Sequence, residues 1–146
     1  MFIKSMKTVI TKNEIDTFNL GLALGKKCQG GEIFALCGNL GAGKTKLVQG
    51  LAVGLGVRGQ VNSPTFNILK VYKPAGKVKY FCHIDAYRLK SERDLIALGV
   101  EEFLNSTETV TAIEWAEKVK KIWPEKTIII NIKSLAIDQR KIVINQ

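Results

Sequence analysis

The nine residues Cys37–Thr45, CGNLGAGKT, stand between an apolar run, EIFAL (Glu32–Leu36), and a stretch with leucines at helical spacing, KTKLVQGLAVGLG (Lys44–Gly56). Within them Gly38, Gly43, Lys44 and Thr45 satisfy the spacing G-x-x-x-x-G-K-[ST]. The spacing has a physical reason. Small residues let the backbone wrap an anion, so that N–H groups from about Leu40 through Gly41, Ala42, Gly43 and Lys44 to Thr45 face inward. The helix that follows adds its unpaired amides and its positive dipole end. Lys44 is placed to reach the β and γ oxygens of a triphosphate, and the Thr45 hydroxyl offers a hard oxygen to Mg²⁺. Strand, loop and helix in this order predict a nucleoside-triphosphate site.

The rest of the chain reads outward from this loop. TKNE (Thr11–Glu14) has the form of a capping box with Thr11 as N-cap. It opens a helix from about Lys12 to Lys27, with Ile15, Phe18, Leu22 and Cys28 on the inner face and Gly30-Gly31 as the stop. Leu47, Leu51 and Leu55 share one face of the helix behind the loop, and Gly56 ends it. TFNILKVYK and KVKYFCHID, joined by PAG, predict a hairpin. SERDLIALG predicts a short helix with Ser91 as N-cap. TVTAIEW is an apolar strand, WAEKVKKIW a short helix stopped by Pro124, and TIIINIK and RKIVIN two closing strands. The alternation predicts an α/β three-layer αβα sandwich, a P-loop NTPase fold whose parallel sheet core is extended by antiparallel strands, with residues 1–146 as one domain.

A phosphate cradle needs a carboxylate to hold its metal. Asp85 and Glu114 both end apolar strands. By analogy with small P-loop switch proteins, the loop NSPTF (Asn62–Phe66) follows the first helix, which makes Thr65 the candidate sensor of the γ-phosphate. The strand ending in Asp85 is then expected alongside the phosphate-loop strand, with Glu114 ending the next parallel strand and ligating Mg²⁺ or positioning water. His83 shares a face with Asp85 and either orients it, senses phosphate, or is a satisfied buried residue. Arg88 reaches a phosphate or makes a surface ion pair. Trp115 and Trp123 are read as core or interface residues. ATP is favoured over GTP, because the nearest approach to a guanine reader, NIKS (Asn131–Ser134), lacks its acid.

Composition narrows the setting. The chain has 146 residues, 46% hydrophobic and 24% charged, enough to bury a core without disulfides or metal. Its three cysteines are far apart, which suits free thiols in a reducing cytoplasm better than a disulfide framework or zinc site. The N-terminus lacks the pattern of a signal peptide, and no apolar run is long enough to span a membrane. Lysine and arginine number 22 against 13 acids, a net charge of +9. The excess is spread along the chain with no legible RNA-binding module. It fits either a solvated surface or contact with nucleic acid or an acidic protein.

Taken together and in order, GNLGAGKT, NSPTF, HIDAYRL, LGVEEF and AIEW resemble the TsaE family of tRNA threonylcarbamoyladenosine biosynthesis ATPases, over about Thr11 to Arg140. The resemblance implies a weak Mg²⁺-dependent ATPase in the cytoplasm, acting with TsaB and TsaD to place a threonylcarbamoyl group on the adenosine beside the anticodon. ATP hydrolysis would reset that complex. The resemblance also implies that Gly41 to Lys44 bind the phosphates of ATP or ADP, that Thr45 and Glu114 bind Mg²⁺, that Asp85 supports both, that Thr65 lies in a switch-like loop, and that Arg140 lies near the nucleotide. Lys46 departs from the second threonine many members carry. A small-molecule kinase is the alternative, although no arginine-rich lid is legible. A nucleotide-controlled binding module without significant hydrolysis is another.

Overall fold

A computed structural model describes residues 5–64 and 66–146. Seven strands form one sheet: β1 (Met6–Thr11), β2 (Ile33–Cys37), β3 (Leu69–Tyr72), β4 (Tyr80–Asp85), β5 (Thr109–Glu114), β6 (Ile128–Ser134) and β7 (Arg140–Asn145). Their order is β1-β7-β6-β2-β5-β4-β3. The central four, β6-β2-β5-β4, are parallel, and β3 at one edge and β7 and β1 at the other run antiparallel. The expected fold class and the β3–β4 hairpin are thus both present.

Strand side chains alternate between two apolar layers, as the pleat requires. Phe34, Leu36, Phe81, Ala112 and Ile130 face the helices α1 (Glu14–Lys27) and α2 (Lys44–Leu55). Ile33, Ala35, Cys82, Ile84 and Ile113 face α3 (Glu92–Ala97), α4 (Val100–Leu104) and a 3₁₀-helix (Ala116–Ile122). β5 is buried along its whole length, which fits a central parallel strand covered on both faces.

Several local expectations need correction. Asn13, not Thr11, caps α1: its side-chain oxygen accepts from the Asp16 amide at 2.8 Å, and Asp16 accepts from the Lys12 amide at 3.0 Å. Thr11 instead closes β1, a strand with no counterpart in the sequence reading, and its hydroxyl meets that of Thr17 at 2.8 Å. The buried face of α1 is Thr17, Gly21 and Gly25, whereas Ile15 is 69% exposed. Glycine decides this. A β-carbon on Gly21 would stand 2.0 Å from the Leu47 carbonyl oxygen, and one on Gly50 would stand 1.9 Å from that of Phe18. The backbones of α1 and α2 therefore touch where the hydrophobic pattern gives no sign of it. In α2, by contrast, Leu47, Leu51 and Leu55 are buried as expected, and Gly56 ends the helix at φ 96°. Helix α4 adds an element not foreseen, whereas TIIINIK forms β6 as expected.

Candidate functional site

The site lies at the carboxyl ends of the parallel strands, where open α/β sheets place their ligands. The loop leaves β2 at Cys37 and enters α2 through Gly43, whose φ of 102° is in the left-handed region glycine tolerates without strain. Gly38 is set by close approach: a β-carbon there would stand 2.5 Å from the carbonyl oxygen of Ile132. The loop borders a cleft of about 490 Å³, lined among others by Gly41, Lys44, Thr45, Asp85, Glu114 and Arg140. Leu40 lines it too, with its side chain 81% exposed at the mouth. The Ala42 amide donates to the Asn39 carbonyl at 3.1 Å, so this conformation engages it within the loop.

Lys44 is buried, and its ammonium is held by the chain itself. It donates to the carbonyl oxygens of Gly38 and of Asn39, the latter at 3.0 Å, and lies 3.9 Å from the centre of the Trp115 ring. Burial lowers its pKa below the usual lysine value, opposed by the carboxylates of Glu117, Glu114 and Asp85. Trp115 reaches it because the residue after β5 turns at φ 56°, a strained conformation for a side chain of this size. Its ring also packs on Tyr87, centroids 5.0 Å apart. The sequence reading missed this role. Only the position of Trp115 directly behind Glu114 hinted at it.

Two carboxylates stand side by side at the strand ends, Asp85 paired with Glu114 in the β4–β5 register. The expected strand order is overturned: β5, not β4, adjoins β2, so Glu114 is the carboxylate next to the phosphate loop. The crossover after the hairpin inserts β5 between the two, a choice that no local pattern encodes. Glu114 Oε1 accepts from Thr45 Oγ1 at 2.7 Å, and its Oε2 is 2.6 Å from His83 Nε2. His83 thus contacts Glu114 rather than Asp85. Asp85 has different partners: Oδ2 accepts from Ser63 Oγ at 2.5 Å and Oδ1 from the Tyr87 amide at 3.0 Å. Ser63 belongs to NSPTF, so Asp85 ties that segment to the sheet. Thr65 lies outside the described residues.

Arg140 at the start of β7 reaches back to the loop. Its Nε donates to the Ala42 carbonyl at 2.9 Å and one terminal nitrogen to that of Gly41 at 3.1 Å. It is beside the cradle and braces it from outside. The Arg88 guanidinium stands 5.4 Å from the Phe66 ring, and among the described residues it makes no ion pair. Trp123 is half-buried and packs against the core layer under α3 and α4.

For a metal, the relevant donors are the Thr45 hydroxyl and the Glu114 carboxylate. Two hard oxygens beside a phosphate loop fit Mg²⁺, which takes one or two protein ligands and fills its octahedron with phosphate oxygens and water. Among the described residues no cluster of three or more His, Cys, Asp or Glu offers an all-protein site.

A parallel sheet with a glycine loop, a helix opening on Lys-Thr and a carboxylate on the adjacent strand is the P-loop NTPase fold. Comparison with known proteins then gives the family. The family described as "Threonylcarbamoyl adenosine biosynthesis protein TsaE" matches residues 11–142, and the chain belongs to it. The tRNA threonylcarbamoyladenosine biosynthesis protein TsaE of Treponema pallidum is 38% identical over 135 residues, 92% of this chain and 97% of that one. Its namesake in Bacillus subtilis is 38% identical over 112 residues, 77% of this chain and 68% of that one. The crystal structure of YdiB from Bacillus subtilis superposes with a TM-score of 0.81 at 28% identity, over 99% of this chain and 88% of that one.

Proposed function

We infer that the chain, acting as a single domain, is the ATP-binding and weakly hydrolysing component of the tRNA threonylcarbamoyladenosine system. Membership of the TsaE family supports the pathway. The structural observation that carries the ATPase reading is the Thr45–Glu114 oxygen pair at the head of α2, 2.7 Å apart beside the phosphate loop. On this reading the triphosphate takes the Lys44 ammonium from the carbonyls of Gly38 and Asn39. The amides of Gly41 to Thr45 cradle the phosphates while Arg140 keeps the loop in shape. Bound Mg²⁺, held by Thr45 and Glu114, would neutralise phosphate charge. Phosphoryl transfer needs positioning and charge more than covalent help. Asp85, through Ser63, reports the state of NSPTF, where Thr65 is the proposed γ-phosphate sensor.

No arginine points a free guanidinium into the cleft among the described residues, because Arg140 is spent on backbone carbonyls. Low intrinsic turnover and stimulation by partners follow. TsaB and TsaD are the proposed partners, in the cytoplasm, with tRNA reached through their complex. Among the described residues no helix is long and apolar enough to cross a membrane. The test is co-purification with TsaB and TsaD with and without ATP, coupled to an ATPase assay. The expected result is nucleotide-dependent association and stimulated hydrolysis, with Glu114→Ala losing turnover more than binding. Fast hydrolysis by the isolated chain, unchanged by either partner, would refute the reading.

A further inference from the structure

We propose that His83 is a positioning residue that turns the Glu114 carboxylate so that one chosen oxygen faces the metal, and thereby sets the Mg²⁺ affinity of the nucleotide site. This rests on the ATPase reading above and extends it to a residue that touches neither nucleotide nor metal. His83 and Glu114 are almost fully enclosed, 0% and 2% exposed. In the parallel β4–β5 register His83 stands opposite Ala112, two residues before Glu114. The small side chain of Ala112 leaves the imidazole room to lean diagonally across the strand pair, a distance that long side chains span. It ends with Nε2 2.6 Å from Glu114 Oε2. The carboxylate can only accept, so the shared hydrogen belongs to Nε2. Phe81 stacks along the same face, ring centroids 6.2 Å from those of His83, and holds the imidazole plane.

The remaining ring nitrogen, Nδ1, has no hydrogen-bond partner among the described residues. The imidazole therefore makes a single polar contact, and that contact is Glu114. A carboxylate pinned at Oε2 cannot rotate, which leaves Oε1 aimed at Thr45 Oγ1, the other proposed metal oxygen. Metal sites commonly fix their ligands in this way, and loss of such a partner weakens metal binding about 10- to 100-fold.

The experiment measures binding of a fluorescent ADP analogue, in EDTA and across a Mg²⁺ titration, for the wild type and for His83→Leu, His83→Gln and His83→Asn. Glutamine carries its amide nitrogen near the position of Nε2, whereas asparagine falls short. The expected result is unchanged affinity in EDTA for all four proteins. The Mg²⁺ concentration for half-effect should rise about tenfold or more in His83→Leu and His83→Asn, and His83→Gln should stay near wild type. Thermal melts check folding, and if the leucine variant does not fold, the glutamine and asparagine pair decides. Equal Mg²⁺ response in glutamine and asparagine variants overturns the proposal, as does a parallel loss of affinity in EDTA. A wild type that binds nucleotide with no response to Mg²⁺ overturns this proposal together with the metal half of the ATPase reading. One that binds no nucleotide overturns the whole of that reading.

Discussion

At the scale of single residues, the chain's own carbonyls hold the buried Lys44 ammonium. Lys44→Ala should weaken ATP and ADP binding about 10- to 150-fold, the worth of a hydrogen bond to a charged group, measured by titration at neutral pH. The sign of the pH dependence follows from burial. On the proposed function Lys44 must be protonated to hold phosphate, and burial lowers its pKa. Bound phosphates pull it back up, so binding takes up protons between the two values and affinity falls as pH rises through that window, which opens below 10.5. A nucleotide affinity flat from neutrality to pH 10.5 would contradict this. Trp115 gives a direct readout. In a Trp123→Phe background its emission should change when ADP draws the ammonium off the ring 3.9 Å away, and Lys44→Ala should abolish the response. The loop residues were legible because nine contiguous positions carry their chemistry. The His83–Glu114 contact was not, because 31 residues separate partners that only the β4–β5 register brings together.

At the scale of elements, the contact between α1 and α2 is made of backbone. Gly50→Ala should cost about 1–3 kcal/mol, since its β-carbon has nowhere to go but into the Phe18 carbonyl. That is a fall of several degrees in the melting midpoint for a chain of this size. Val53→Ala, on the exposed side of the same helix, should stay within about 0.5 kcal/mol. The inner face of α1 was misread because glycine carries no hydropathy. Ile15, Phe18 and Leu22 advertised a face that the helix does not bury most deeply. The short, exposed β1 and the five-residue α4 escaped for a related reason, as each shows too few periods to signal itself. The hairpin and β5 were legible because β-branched and aromatic residues crowd them.

At the scale of the whole molecule, three thiols are held within the fold, and burial pushes Cys28 and Cys82 up to about 12 and Cys37 to about 11. A thiol that stays protonated when folded but ionises near 9 when unfolded stabilises the fold below that pH. The contribution is lost as pH climbs toward the folded values. Lys44 acts in the opposite sense, with its folded pKa lowered, so the thiols outnumber it three to one. Urea midpoints should therefore fall between pH 9 and 11, and less steeply in a Cys28→Ala, Cys82→Ala double variant. The αβα layering could be read from the order of elements, and the middle position of β5 could not. Hydrophobic pattern says that a strand is buried, and only the assembled sheet says beside what.

Arg140 grips the carbonyls of Gly41 and Ala42 across 99 and 98 residues of chain, and both neighbours of β2 also come later than the loop they frame. On a ribosome the phosphate loop thus emerges long before anything that can shape it. A nascent chain passes through most of its synthesis with the nucleotide motif written but unbraced. On the proposed function, the loop is braced for a triphosphate only once β7 folds back, and fragments cut short of that strand should bind ATP more weakly than the whole chain in a titration.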